Sequence, residues 1–118
     1  MEAFEFRLIE DFKELMRHAM LYAENAHDYI FDDKVDNMIA ISYLNMAASK
    51  FSAAQALYCA QREILENGDA EKIFHLFETF AAELLNSVRT DHSRQWTSIE
   101  FERLREAFDF SPFPAHNN

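Results

Sequence analysis

The stretch AFEFRLIEDFKELMRHAMLYAENAHDYI, residues 3–30, decides how the rest of the chain is read. Leu8, Phe12, Leu15, Ala19, Tyr22, Ala26 and Tyr29 follow one another in alternating steps of four and three, and Ile9, Met16, Ala23 and Ile30 form a second row beside them. At 3.6 residues per turn both rows fall on one side of an α-helix, while Glu10, Lys13, Glu14 and Arg17 fall on the other. The stretch predicts one long amphipathic helix, and such a helix needs other helices or a sheet to cover its apolar side.

Composition decides between the two. The 118 residues contain one Gly and two Pro, too few for the tight turns that hairpins, barrels and phosphate loops require. The length suits a single domain with a core of its own, and 49% hydrophobic residues with twelve Phe, four Tyr and one Trp exclude a disordered chain. The expectation is an all-α, four-helix bundle-like domain, mostly antiparallel, with a long central second helix and a short fourth helix, over residues 1–118. Its helices are expected at about 3–30, 33–67, 70–89 and 98–109, with an extended tail over 110–118.

The boundaries rest on local punctuation. Asp32 and Asp33 have the chemistry of N-caps for the second helix. In Asn67-Gly68-Asp69 the glycine offers a left-handed end to that helix and the aspartate a cap for the third, so the two are expected to be antiparallel neighbours. Thr97 and Glu100 fit a capping box for the fourth helix, with Trp96 and Phe101 at the flanking staple positions. Phe110-Ser111-Pro112-Phe113-Pro114 cannot be helical and is expected to fold back on the bundle, because exposing Phe108, Phe110 and Phe113 together would be a liability.

The second helix is the unusual one. Between Asn37 and Gln61 the only charged residue is Lys50. One side reads Ala40, Leu44, Ala47, Phe51, Ala54 and Tyr58, a core face; the other carries Ser42, Asn45, Ser49 and Ser52 with Ala56 and Cys59. A helix on the outside of a monomeric bundle normally shows water a charged face. Either this helix is a central hub enclosed by its own chain, or Ser42, Asn45, Ser49 and Ser52 line an interface with another molecule. The other helices are too short to cover its full length, which favours a homodimer through this face.

Charge narrows the partners. Twenty-one acidic and eleven basic side chains give a formal net charge of −10. Nucleic-acid affinity rests on neutralising phosphates, so direct binding to nucleic acid is not expected, nor is an anionic membrane surface. Asp28, Asp32, Asp33 and Asp36 form an acidic patch at the first interhelical turn, and Glu63, Glu66, Asp69 and Glu71 cluster at the second. The single Cys59 excludes an intrachain disulfide, the Met1-Glu2-Ala3-Phe4-Glu5 start does not read as a secretory signal, and a cytoplasmic location is the expectation.

Little chemistry is written in the chain. Glu24 and His27 form a Glu-x-x-His pair, the spacing that carboxylate-bridged di-metal bundles use, but no second copy of the pattern faces it. Glu24 and His27 are therefore candidates for a metal only, and no cofactor and no catalytic residue is expected. Cys59 and the serines of the second helix read as packing residues. The function that follows is a small acidic interaction protein, an adaptor or regulatory subunit rather than an enzyme, self-associating through its second helix. Two alternatives stand beside it: an acidic mimic of nucleic acid that inhibits a basic partner, in the manner of phage or mobile-element proteins, and a metal-binding helical bundle.

Overall fold

The computed structural model describes residues 2–31, 35–90 and 93–115. Among them the fold is all-α, with five helices: α1 (Ala3–Phe31), α2 (Asn37–Ala60), α3 (Arg62–Leu65), α4 (Gly68–Thr90) and α5 (Arg94–Asp109). They form two helical hairpins, α1 with α2 and α4 with α5, joined by the single turn of α3. The hairpins pack face to face, α1 against α5 and α2 against α4, in a body of 50 × 31 × 21 Å.

The two kinds of packing differ because the residues differ. Ala19, Ala23 and Ala26 of α1 and Ala40, Ala47 and Ala54 of α2 are all fully buried. Side chains this small let two backbones approach closely, and α1 and α2 run together along their lengths. Between the hairpins the filling is aromatic. Phe51 meets Phe77 at 4.5 Å and Phe74 at 6.3 Å, and Phe80 meets Phe101 at 5.5 Å. Rings of this bulk hold α2 and α4 further apart, so α2 is not the enclosed hub of a bundle. It stands at a corner, covered closely by α1 and more loosely by α4.

Three of the expected boundaries are displaced. The second helix does not run on to Asn67; it stops at Ala60, and Gln61 (φ −125°, ψ 41°) leaves the helix while its N–H still bonds the Leu57 carbonyl at 2.9 Å. No Pro or Gly marks the break. A new turn starts at once, with the N–H groups of Ile64 and Leu65 both donating to the Gln61 carbonyl at 3.0 Å. The redirected turn places Leu65, 5% exposed, and Ile64 beside Phe12 and Phe113.

At the next junction Asn67, rather than Asp69, is the cap. Its Oδ1 accepts from the N–H of Asp69 at 2.7 Å and of Ala70 at 3.3 Å. Gly68 is already the first residue of α4 and is not left-handed. Tyr58 closes the corner from below: its hydroxyl accepts from the Asn67 N–H at 3.3 Å and donates to Glu71 at 3.1 Å.

The last helix starts at Arg94, a turn earlier than the capping box implied, and Ser93 caps it by accepting from the Gln95 N–H at 3.3 Å. Thr97 is inside the helix and wholly buried. Its hydroxyl lies 2.7 Å from Ser87 Oγ and 3.4 Å from the Glu83 carbonyl, a hydrogen-bonded chain that ties α5 to α4. Trp96 stays 54% exposed, so no staple with buried Phe101 forms. A threonine that can satisfy its hydroxyl across an interface has more to gain inside the core than at an exposed cap. The second helix is capped by Asp36, whose Oδ1 accepts from the Ile39 N–H at 3.1 Å; the caps expected at Asp32 and Asp33 lie outside the described residues.

Of the tail, Phe113 folds back onto the bundle, whereas Phe110, expected to return with it, stays 83% exposed. Ser111 turns the chain by donating to the Phe108 carbonyl and accepting from the Phe113 N–H at 3.2 Å. Phe113 is then buried edge-on against Phe12, with ring centroids 5.6 Å apart, and its carbonyl accepts from Arg17 at 3.0 Å.

Two stability predictions follow from these placements. A Cβ at position 68 would meet nothing within 4 Å, so Gly68→Ala should stabilise the protein by about 0.4–1 kcal/mol in urea denaturation; a left-handed Gly68 would instead make the same substitution destabilising. Phe113→Ala should cost about 3 kcal/mol, whereas Phe110→Ala, at an 83% exposed site, should stay within about 0.5 kcal/mol of wild type.

Candidate interaction surface

The outer face of α2 is the surface that stands out. Ser42, Asn45, Ser49 and Ser52 are all exposed, as are Ala53, Ala56, Cys59 and Ala60 further along. Ser42 returns its hydroxyl to its own helix, donating to the Met38 carbonyl at 3.0 Å. The face is more apolar than serine and asparagine alone suggest: Met38 is 77% exposed, Met46 43% and Ile39 38%. Just before it, Phe31 and Val35 are exposed too. The helical spacing that selected the small polar residues also passes through Met38 and Met46, yet an apolar residue at the margin of a core face reads in a sequence as part of that face.

No charge interrupts this strip. Lys50, the one ionic side chain of α2, turns toward α1 and lines an open groove of about 460 Å³ with Asp11, Glu14, Leu15, His18 and Leu57. A second groove of about 300 Å³ lies between α4 and α5, lined by Asp69, Lys72, Leu76, Arg103, Glu106 and Phe110. Sequence periodicity does not point to Phe110 here, because the residue sits at the helix cap, outside the repeating rows of α5.

The acidic patches are partly consumed by the fold. Asp36 serves α2 as its cap, while Asp28 is exposed beside His27, with 3.8 Å between Oδ1 and Nδ1; Asp32 and Asp33 lie outside the described residues. In the second cluster Arg62 reaches Glu66 at 3.8 Å and Glu71 at 3.3 Å. These pairs are half-exposed and contribute little stability individually, but they lower the net charge that the cluster presents.

Glu24 and His27 are both engaged with α5. Glu24 Oε1 accepts from Arg105 Nη1 at 3.0 Å. The His27 ring lies flat on Phe101, centroids 4.4 Å apart and planes 8° from parallel, with Phe31 on its other side at 5.0 Å. Its Nε2 is hydrogen-bonded to Ser98 Oγ at 3.2 Å. Together with Arg94 donating to Asn37 at 3.2 Å, these contacts are the polar fastening of α5 to the first hairpin. Among the described residues no group of three or more His, Cys, Asp or Glu is placed to hold a metal. No helix among them is long and apolar enough to cross a membrane.

Burial pushes the His27 pKa below its usual 6.5, against the opposing pull of Asp28, Glu102 and Glu24. The unfolded chain therefore takes up a proton first as pH falls. His27 leaves the fold at full strength above about pH 6.5 and weakens it below, until the folded ring also protonates. His27→Gln should flatten the loss of the urea midpoint between pH 7.5 and 5.5; an unchanged slope would mean that the ring is not held neutral. Comparison with models of protein families, with curated proteins and with solved structures finds no match to this chain.

Proposed function

We propose that this chain is an acidic helical interaction protein, an adaptor or regulatory subunit without an active site of its own, and that it self-associates through the outer face of α2. The observation that carries the reading is the uncharged, exposed face running the length of that helix in a chain of net charge −10. Two such chains repel one another over most orientations. A face without ionic groups is where like copies can meet without desolvating charge, and burying Met38, Ile39 and Met46 supplies a hydrophobic gain.

The size of the face sets the strength. A helix of 24 residues is about 36 Å long and offers a strip about 10 Å wide. That is roughly 400 Å² per copy, about half of what a standard stable interface buries. The association is accordingly weak and reversible, in the micromolar range or above, as suits a subunit that also meets other partners. The acidic-mimic reading gains less from the fold, because Asp36 is committed as a cap and Glu66 and Glu71 face Arg62. The metal-bundle reading loses its motivation once Glu24 and His27 are occupied by Arg105, Ser98 and Phe101.

Light scattering across tens to hundreds of micromolar protein should show a rise from monomer toward dimer. Ser49→Arg should weaken that association at least tenfold, because a guanidinium would enter the centre of the face, while circular dichroism stays unchanged. A species of monomer mass at every concentration would remove the reading.

A further inference from the structure

The exposed residues along α2 are graded by size. Every large apolar residue exposed on this helix lies in its N-terminal half: Met38, Ile39 and Met46. From Ser49 onward the exposed positions are Ser52, Ala53, Gln55, Ala56, Cys59 and Ala60; apart from Gln55, which lines the groove toward α4 with Glu71 and Phe74, none is larger than cysteine. A face of this kind cannot fit a copy of itself in parallel. Met38 would stand against Met38 and Met46 against Met46, forcing the helices apart where the C-terminal alanines need them close, and the small half would enclose a void.

Reversing one copy removes both faults. The bulky half of each helix then lies along the small half of the other, which is the self-complementary arrangement that a two-fold axis demands. Electrostatics favour the same choice. The antiparallel pair sets the N-terminal end of each α2 beside the C-terminal end of the other. Opposed helix dipoles add to that preference. A basic partner, by contrast, would find no acidic group along the strip.

We propose that two copies of this chain pair antiparallel through α2 about a two-fold axis near its middle, with Met38 and Met46 of each lying against the Ala53, Ala56 and Ala60 region of the other. The proposal rests on the self-association argued above and adds its orientation. It also gives Cys59 a definite place: the two Cys59 thiols stand toward opposite ends of the dimer, roughly 30 Å or more apart at ~1.5 Å per residue, too far for a disulfide.

Disulfide trapping at concentrations where light scattering shows dimer tests it. The wild-type chain, mildly oxidised, should give no Cys59–Cys59 cross-link. In a Cys59→Ala background, Met38→Cys mixed with Ala56→Cys or Ala60→Cys should yield a cross-linked heterodimer on a non-reducing gel, and Met38→Cys alone should not. All of these positions are exposed, so the substitutions leave the core intact. Cross-links of Met38→Cys to itself, or between wild-type Cys59 thiols, would establish a parallel pair and overturn the orientation while leaving self-association standing. A dimer in which no α2 pair cross-links would overturn the proposal by moving the interface elsewhere. A monomer at every concentration would overturn both readings.

Discussion

A continuous run of aromatic rings sets the dimensions of this molecule. From Phe113 it passes to Phe12, Phe74, Phe51, Phe77, Phe80 and Phe101, and on to His27 and Phe31, with neighbouring centroids between 4.4 and 6.4 Å apart. Tail, both hairpins and the polar fastening of α5 all touch it. Because the rings fill the space between hairpins and alanines fill the space within the first, the bundle is narrow in one direction and wide in the other. That asymmetry is why α2 sits at a corner with one side against α1 and another open to water.

The distribution of charge follows the same geometry. Acidic residues gather at the interhelical turns, where Asp36 caps the start of α2, and on the outer sides of α1, α4 and α5. What is left without charge is the flank of α2 that neither α1 nor α4 reaches. An exposed neutral helix face is costly to keep in a soluble monomer, since it forgoes the hydration that charged side chains provide. Its occurrence on a helix that α1 covers closely and α4 only loosely links the internal packing to the outward surface.

How much of this was legible in the sequence depends on whether the signal is periodic or tertiary. The rows from Leu8 to Tyr29 and from Ala40 to Tyr58 repeat at helical spacing, so the helices and most of their buried sides could be read directly, as could the charge-free flank carrying Ser42, Asn45, Ser49 and Ser52. Caps were less legible because Asp, Asn, Ser and Thr are chemically alike in that role. Asn67 and Ser93 displaced Asp69 and Thr97 through contacts with Tyr58 and Ser87 that lie outside the local pattern. The break at Gln61 carries no glycine or proline at all; burial of Leu65 beside Phe12 and Phe113 accompanies it. The aromatic bed of His27 likewise needs α5 in place before it exists.

The return of the tail onto α1 bears on the order in which the chain assembles. Arg17 and the Phe113 carbonyl are 96 positions apart in sequence, so their meeting closes nearly the whole chain into a loop, at an entropic cost that exceeds that of the local hairpin contacts and grows slowly with loop length. The α1–α2 hairpin, with its contacts nearer in sequence, can form long before. Folding should thus begin as a local, fast zippering of alanine seams and finish as a slow-closing clasp. Opening the clasp uncovers only the side of Phe12 that Phe113 covers, while Tyr58 and Phe74 stay against its other sides. A protein built this way has a natural point of partial opening, set by topology and not by any weakness in its helices.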